Sequence, residues 1–227
     1  MAAPQISAVI FDCDGVLVNS EEIYQRVEKQ CLDEIGLRFD RDAYDDRFLG
    51  VTGEAYFAGL NDDHVEQYGR ALPSGFIDRL LALTSVELAQ SLTAHDGVHA
   101  TIAGVAVPKA VASSSSKERL DHKLRHVGVF DAFAPHVYSA EVVGRGKPAP
   151  DLYLYTAAKL GVGAAGCVAV EDSVNGVLSA RAAGMGVVGY IGGRHCSPRQ
   201  AAKLRAAGAD IVIDHMNLLL GAMADLR

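Results

Sequence analysis

The segment from Ala8 to Ser20, AVIFDCDGVLVNS, constrains the fold of this chain more than any other segment. It opens with four apolar residues of the kinds that are typical of a buried β-strand. Asp12 and Asp14 follow this run, and Gly15 then allows the backbone to turn. Alternate side chains of an extended segment share a face, and two carboxylates in one small volume repel each other unless a cation holds both. The segment therefore predicts a magnesium site or a nucleophile beside an acid/base, against the simpler alternative of a polar turn.

The second half of the chain alternates short apolar segments with helical patterns. Besides residues 6–11, the segments predicted as strands are Lys109–Ala112, His136–Tyr138, Cys167–Val170, Gly186–Tyr190 and Ile211–Ile213. This alternation predicts an α/β fold with a Rossmann-like, doubly wound parallel sheet, in which ligands bind beyond the carboxyl ends of the strands. Four polar residues lie after predicted strands, and we expect them to converge at one edge of the sheet. They are Asp12, Ser113, Lys147 and Asp172.

Residues 17–89 interrupt this alternation. The stripe Ile23, Val27, Cys31 and Ile35 repeats at four-residue spacing, which predicts a helix, and the strongest helical pattern begins near Pro73. The segment contains no convincing strand pattern. We therefore predict an inserted all-α cap domain at residues 17–89 and a Rossmann-like core made of residues 1–16 and 90–227.

Composition restricts the class of partner. The chain has 227 residues, of which 49% are hydrophobic and 22% charged, and its formal net charge of −7 argues against a nucleic-acid-binding surface. No apolar run approaches the ~18 residues of a membrane span, and residues 1–5 lack the pattern of a secretory signal. The four cysteines lack CxxC spacing, which indicates reduced thiols. We expect a cytoplasmic monomer or weak homodimer with no membrane or nucleic-acid partner.

A run of four serines, Ser113 to Ser116, lies between a predicted strand and a predicted helix. In this position the run predicts an anion-binding turn, whose donors are the hydroxyls and the amides of the helix N-terminus. Ser114 and Ser115 are therefore candidate substrate-binding residues beside Ser113.

Four motifs resemble, in order, those of the haloacid dehalogenase-like superfamily of phosphotransferases, in the branch with a small helical cap after the first motif. They are FDCDGVLVNSE at residues 11–21, AVASSSS at residues 110–116, GKPAPD at residues 146–151 and VEDSVNG at residues 170–176. The first motif departs from the family pattern at Asn19, where the family usually carries aspartate. The resemblance spans nearly the whole chain and implies phosphoryl chemistry on a Rossmann-like core.

The resemblance implies a role for each matching residue. Asp12 would attack phosphorus and form an aspartyl-phosphate, while Asp14 would protonate the leaving oxygen and then take a proton from water. Ser113 and Lys147 would hold the other phosphoryl oxygens. The implied cofactor is Mg²⁺, which binds about six oxygen ligands. Its implied protein ligands are Asp12, the backbone carbonyl of Asp14 and Asp172, with Glu171 as a support or a further ligand.

The implied reaction is hydrolysis of a phosphate ester. Asp14 is absent from the halide-releasing members of the family, so its presence favours phosphoryl chemistry. Two cap positions depart from the sugar phosphomutases, because Gly53 stands at the position of an arginine and Tyr24 at that of a histidine. We therefore expect a Mg²⁺-dependent phosphatase that acts on a small phosphorylated metabolite, a sugar or sugar-acid phosphate. Candidate contacts to the organic part of that substrate are Asn19, Arg47, Thr52 and Glu54.

Two alternatives to this phosphatase stay open. One is a sugar phosphomutase of the β-phosphoglucomutase type, which would return the phosphoryl group to the sugar. The other is a non-catalytic binding protein on the same fold. Proteins of that kind usually lose a catalytic carboxylate, whereas this chain has kept both Asp12 and Asp14.

Overall fold

The computed structural model describes residues 6–48 and 53–226, which form two compact units. One unit contains the described residues up to Glu22 and from Leu92 onward, and the other runs from Ile23 to Ser91. The boundaries therefore follow residues 22 and 91, whereas the sequence placed them after residues 16 and 89. Residues 17–22 belong to the first unit because they form hydrogen bonds with it. For example, the Asn19 amide donates to the Thr93 carbonyl at 3.1 Å.

A six-stranded parallel sheet forms the centre of the first unit. Its strands are β1 (Ala8–Phe11), β2 (Lys109–Ser113), β3 (Val137–Ser139), β4 (Cys167–Glu171), β5 (Gly186–Tyr190) and β6 (Ile211–Ile213). Their order is β3-β2-β1-β4-β5-β6, with every adjacent pair parallel. The predicted α/β fold with a doubly wound sheet is confirmed. The strand order reverses between β1 and β4, which is the point where such sheets bind ligands.

Helices account for most of the remaining described residues. They are α1 (Ser20–Glu34), α2 (Arg41–Phe48), α3 (Gly53–Tyr68), α4 (Phe76–Ser91), α5 (Val98–Gly104), α6 (Lys117–His126), α7 (Phe130–Phe133), α8 (Asp151–Leu160), α9 (Val174–Ala182), α10 (Gln200–Ala207) and α11 (Leu219–Asp225). Short 3-10 turns lie at Ala140–Val142, Ala164–Gly166 and Met216–Leu218. Across residues 6–48 and 53–226, no helix has the length and apolar character that crossing a membrane requires.

Strand β1 lies between β2 and β4 and is buried on both faces, which explains its continuously apolar sequence. On one face Ile10 belongs to a core that includes Tyr153 of α8 and Val177 of α9. On the opposite face the ring of Phe11 meets the ring of Phe133 edge-on, with centroids 5.6 Å apart. This packing fixes the end of β1 and therefore the position of the residue that follows it, Asp12.

The second unit has its own core. Its described residues contain α2, α3, α4 and most of α1, and no strand. Four rings, Phe39, Tyr44, Phe48 and Tyr56, form a chain of contacts with centroid distances from 5.2 to 5.9 Å. The Tyr44 hydroxyl also donates to the Glu28 carboxylate at 2.6 Å, which satisfies a half-buried polar group.

We predict that Ile10→Ala lowers the free energy of unfolding by about 2–5 kcal/mol, because it leaves a cavity in the centre of the sheet. The Ile10 side chain is fully buried, whereas Leu178 on α9 is 42% exposed. The matched control Leu178→Ala is expected to change that free energy by less than about 1 kcal/mol. Urea unfolding followed by circular dichroism measures both variants. Equal losses in the two variants would contradict the central role of β1.

Candidate active site

The carboxyl ends of β1, β2 and β4 bring the predicted polar residues to one edge of the sheet. Asp12 follows β1, Ser113 is the last residue of β2, and Glu171 ends β4 with Asp172 next. Lys147 reaches this edge from the loop that precedes α8. The expected convergence of residues that are far apart in the sequence is therefore present in the first unit.

Lys147 is the central contact of the site. Its ammonium donates to Asp12 Oδ1 at 2.5 Å, to Glu171 Oε1 at 2.5 Å and to the backbone carbonyl of Ala112 at 3.0 Å. The side chain is 5% exposed. An ammonium has three N–H donors, so these contacts use its full capacity. Lys147 therefore joins Asp12, which follows β1, and Glu171, which ends β4, to the end of β2.

Three buried carboxylates form a group that can hold a metal ion. Asp12, Glu171 and Asp172 each offer an oxygen, and these atoms lie within 4.8 Å of one another. A donor set made only of oxygens suits a hard cation such as Mg²⁺ rather than zinc. Gly15 leaves room here, because a Cβ at this position would lie 1.9 Å from Asp172 Oδ2, and its φ of +74° also favours glycine. The residues present therefore fit Mg²⁺.

The electrostatics of this group indicate the same need for a cation. Burial raises the pKa of Asp12 well above its usual range, against the lowering effect of the Lys147 ammonium, and the neighbouring carboxylates raise it further. Burial also raises the pKa of Asp172, with Glu171 as the next cause. One ammonium among three carboxylates leaves negative charge uncompensated. A divalent cation would hold these groups ionised.

The Asp14 carboxylate lies in different surroundings. Its Oδ1 accepts from Ser20 Oγ at 2.5 Å and from the Lys123 ammonium, and its Oδ2 accepts from Ser115 Oγ at 2.8 Å and from Ser113 Oγ at 3.4 Å. Burial alone would raise the pKa of Asp14, but the Lys123 charge and the hydrogen bonds outweigh it and lower the pKa. The two aspartates of the first segment therefore face opposite electrostatic environments, although one residue separates them.

Glu171 already has protein donors on both of its oxygens. Oε1 accepts from Lys147 and from the Tyr153 hydroxyl at 2.7 Å, and Oε2 accepts from Ser173 Oγ at 3.1 Å. A Cβ on Gly176 would lie 2.0 Å or less from the atoms of this carboxylate. This enclosure suits Glu171 to the role of a support for Lys147.

The sequence did not predict several residues that contact the site carboxylates, among them Tyr153, Lys123 and His195. Tyr153 contacts Glu171, Lys123 contacts Asp14, and His195 Nε2 lies 3.1 Å from Asp172 Oδ2. Lys123 had a signal, since it lies on the face of α6 that carries buried leucines. Tyr153 and His195 had none, because their contacts join segments that are far apart in the sequence.

The substrate-binding candidates of the first unit have unlike surroundings. Ser115 faces Asp14, as described, and its amide donates to Ser113 Oγ at 3.1 Å. Ser114 is exposed. The Asn19 side-chain oxygen accepts a hydrogen bond from the Thr93 amide at 2.8 Å. This bond links the segment after β1 to the segment after α4.

The remaining candidates belong to the second unit or lie outside the described residues. Arg47 forms a two-point ion pair with Asp63, at 3.0 and 2.6 Å. Glu54 is exposed in the first turn of α3. Thr52 lies outside the residues that the structure describes. The structure thus groups Asp12, Asp14, Ser113, Ser115, Lys147, Glu171 and Asp172, and describes Arg47 and Glu54 separately.

Comparison with known proteins adds a family match. The family model described as haloacid dehalogenase-like hydrolase matches residues 6–184. The chain is similar to 6-phosphogluconate phosphatase of Escherichia coli (strain K12), with 29% identity over 195 residues that cover 86% of each chain. It is also similar to hexitol phosphatase B of the same strain, with 33% identity over 198 residues, 82% of this chain and 84% of the relative. A crystal structure of a HAD family hydrolase from Deinococcus radiodurans R1, with bound phosphate and sodium, has a TM-score of 0.85 and 36% identity, and the match covers 99% of this chain and 97% of that chain.

We predict that Lys147→Met lowers the free energy of unfolding by about 3–5 kcal/mol in metal-free buffer at about pH 8, because it leaves buried carboxylates without their cation. The loss is expected to shrink as the pH falls towards about 5. Burial raises the pKa of Asp12 even though the Lys147 ammonium lowers it, and the variant lacks that lowering effect. The folded variant therefore binds more protons than the wild type and gains more stability as the pH falls. Urea unfolding in the presence of EDTA measures this difference.

The control for this experiment is Lys159→Met, which removes an exposed lysine from α8. It is expected to change the free energy of unfolding by less than about 1 kcal/mol at either pH. A loss in Lys147→Met that is the same at both pH values would count against a site of uncompensated buried carboxylates.

Proposed function

Because this chain belongs to the haloacid dehalogenase-like hydrolase family, we propose that it is a Mg²⁺-dependent phosphatase acting on a small phosphorylated sugar or sugar acid. One observation carries the proposal. Asp12 is a buried carboxylate at the end of the central strand, in contact with Lys147 and close to two more carboxylates. This arrangement supplies a nucleophile, a cation for phosphoryl oxygens and oxygen ligands for a metal.

In the first step an Asp12 carboxylate oxygen attacks the phosphorus of the ester. A new O–P bond forms on Asp12, and the bond from phosphorus to the leaving oxygen breaks. Asp14 takes up a proton when the phosphate ester binds beside it, because a nearby negative charge raises the pKa of a carboxyl group. It then gives this proton to the leaving oxygen, which departs as an alcohol. Lys147 and Ser113 hold phosphoryl oxygens, for which Lys147 exchanges one of its three protein contacts. Each charge-assisted hydrogen bond contributes roughly 1.5–3 kcal/mol.

In the second step water attacks the aspartyl-phosphate. Asp14 takes a proton from the water, the new bond forms between the water oxygen and phosphorus, and the bond to Asp12 breaks. Inorganic phosphate leaves, and both aspartates return to their starting protonation states. Asp14 therefore acts first as an acid and then as a base.

Mg²⁺ would be held by Asp12, Asp172 and the backbone carbonyl of Asp14. When bound, it supplies positive charge that offsets the negative charge of the phosphoryl group and of the carboxylates. Glu171 would support the site by holding Lys147 in place, since its two oxygens accept hydrogen bonds from Lys147, Tyr153 and Ser173. His195, beside Asp172, would orient that ligand.

Hydrolysis is favoured over phosphoryl return to the sugar by two positions of the second unit. Gly53 stands where the phosphomutases have an arginine, and a glycine has no side chain that could bind a second phosphate. Tyr24 stands where the phosphomutases have a histidine. The relatives with similar sequences are called 6-phosphogluconate phosphatase and hexitol phosphatase B, which supports a sugar-acid or sugar-alcohol phosphate as the substrate. We place the protein in the cytoplasm as a monomer or weak homodimer.

We predict that the purified chain releases inorganic phosphate from members of a panel of sugar, sugar-acid and sugar-alcohol monophosphates when Mg²⁺ is present. EDTA is expected to stop turnover, and excess Mg²⁺ to restore it. Asp12→Asn is expected to lower kcat by about 10⁴-fold or more, because the amide is not a nucleophile. The control Asp131→Asn, at an exposed position, should leave kcat unchanged.

A second measurement tests the covalent step. Enzyme quenched in acid with ³²P-labelled substrate should retain label that hydroxylamine removes, as expected for an aspartyl-phosphate, and Asp12→Asn should retain none. Turnover that is indifferent to EDTA and to Asp12→Asn would overturn the mechanism. Isomerisation of a sugar phosphate without release of phosphate, dependent on a bisphosphate, would indicate the phosphomutase instead.

A further inference from the structure

Lys123 is a buried cation that the proposed mechanism does not use. It lies on α6 between Leu120 and Leu124, and its side chain is 3% exposed, whereas the other charged residues of this helix are exposed or half-buried. A lysine is almost never buried to this extent without a partner, because removing its charge from water is costly. The contacts of Lys123 therefore indicate why it points inward.

Those contacts converge on one carboxylate. The Lys123 ammonium donates to Asp14 Oδ1 and, at 3.1 Å, to Ser115 Oγ. Ser115 Oγ in turn donates to Asp14 Oδ2 at 2.8 Å. Ser20 Oγ also donates to Oδ1, at 2.5 Å. Donors from the start of α1, the turn after β2 and the middle of α6 thus hold both oxygens of Asp14.

Lys147 and Lys123 contact different aspartates. Lys147 contacts Asp12, and Lys123 contacts Asp14, although the two aspartates are separated by one residue. The two buried ammonium groups therefore draw the two carboxylates to different partners. A carboxylate at the end of a short side chain can rotate, and a proton donor is effective only within hydrogen-bond reach of the oxygen that it serves.

We propose that Lys123 is a positioning residue, which together with Ser115 holds the Asp14 carboxylate in the orientation from which it serves the leaving oxygen. This inference rests on the proposed function, because it takes Asp14 as the acid of the first step. In this role Lys123 acts through Asp14 and is assigned no part in holding the phosphoryl group. Its loss should therefore harm the steps in which Asp14 gives or takes a proton, and kcat/KM should fall only for substrates whose leaving oxygen needs that proton.

The leaving group of the substrate separates this role from a structural one. An alkyl phosphate, such as a sugar-alcohol phosphate, needs a proton on its departing oxygen, whereas p-nitrophenolate leaves without one. The ratio kcat/KM reports the reaction only as far as the departure of the first product, so the later hydrolysis of the phospho-enzyme does not affect it. Comparing kcat/KM for the two substrates therefore isolates the action of the acid.

We predict that Lys123→Met lowers kcat/KM for the alkyl phosphate by about 100-fold, which is the low end of the usual contribution of a general acid. For p-nitrophenyl phosphate the decrease should be less than about 5-fold, since this leaving oxygen needs no acid. Lys123→Arg, which keeps a buried cation and donors, should restore most of the alkyl activity. The control Lys117→Met, which removes an exposed lysine from the same helix, should leave both values unchanged.

Circular dichroism and the thermal midpoint establish that each variant is folded. If Lys123→Met does not fold, Lys123→Gln is assayed instead, and the same ratio between the two substrates decides the result. An equal loss on both substrates, or unchanged hydrolysis of the alkyl phosphate, overturns the inference and leaves the proposed function standing. A wild-type chain that hydrolyses neither substrate overturns the proposed function, and the inference with it.

Discussion

One buried ammonium group holds the ends of three strands together. Lys147 bonds to Asp12, which is 135 residues away in the sequence, to Glu171 and to the carbonyl of Ala112. Without this cation, the carboxylates after β1 and β4 would be buried without compensation, which is among the most costly arrangements in a protein interior. The same contact that stabilises the edge of the sheet therefore also assembles the carboxylates that the proposed reaction uses. Stability and chemistry depend here on one side chain.

The parts of the fold that follow from local pattern could be predicted from the sequence. The six strands are short and mainly apolar. A parallel sheet is covered on both faces, so its strands have near-continuous apolar sequences that can be recognised without the structure. The convergence of Asp12, Ser113, Lys147 and Asp172 also followed, because the carboxyl ends of parallel strands share one edge. The domain boundary near residue 16 was less predictable, since residues 17–22 are helical or turn-forming in pattern but bond to the first unit.

What the sequence could not show is which charge meets which. Lys123 shares a face of α6 with two buried leucines, but six other charged or ionisable residues of this helix are exposed, and the sequence does not show that Asp14 is its partner. Glu171 was expected to be a support or a ligand, and the contacts on both of its oxygens, which favour the role of a support, were not visible in the sequence. His195 lies 23 residues beyond Asp172, in a loop without regular pattern. These pairings depend on how the helices and strands pack against one another, and the local sequence pattern does not predict them.

Gly176, in the first turn of α9, has a consequence for how this protein tolerates change. The carboxylate of Glu171 occupies the space that the first side-chain carbon of any other amino acid would need. The restriction comes from a neighbouring side chain and not from the backbone, whose conformation there is helical. In a survey of every substitution at every position, residue 176 would therefore behave like the aspartates of the proposed mechanism, although it has no reactive atom. A position can therefore be intolerant to replacement because it packs against a site carboxylate, and not only because its own side chain takes part in the reaction.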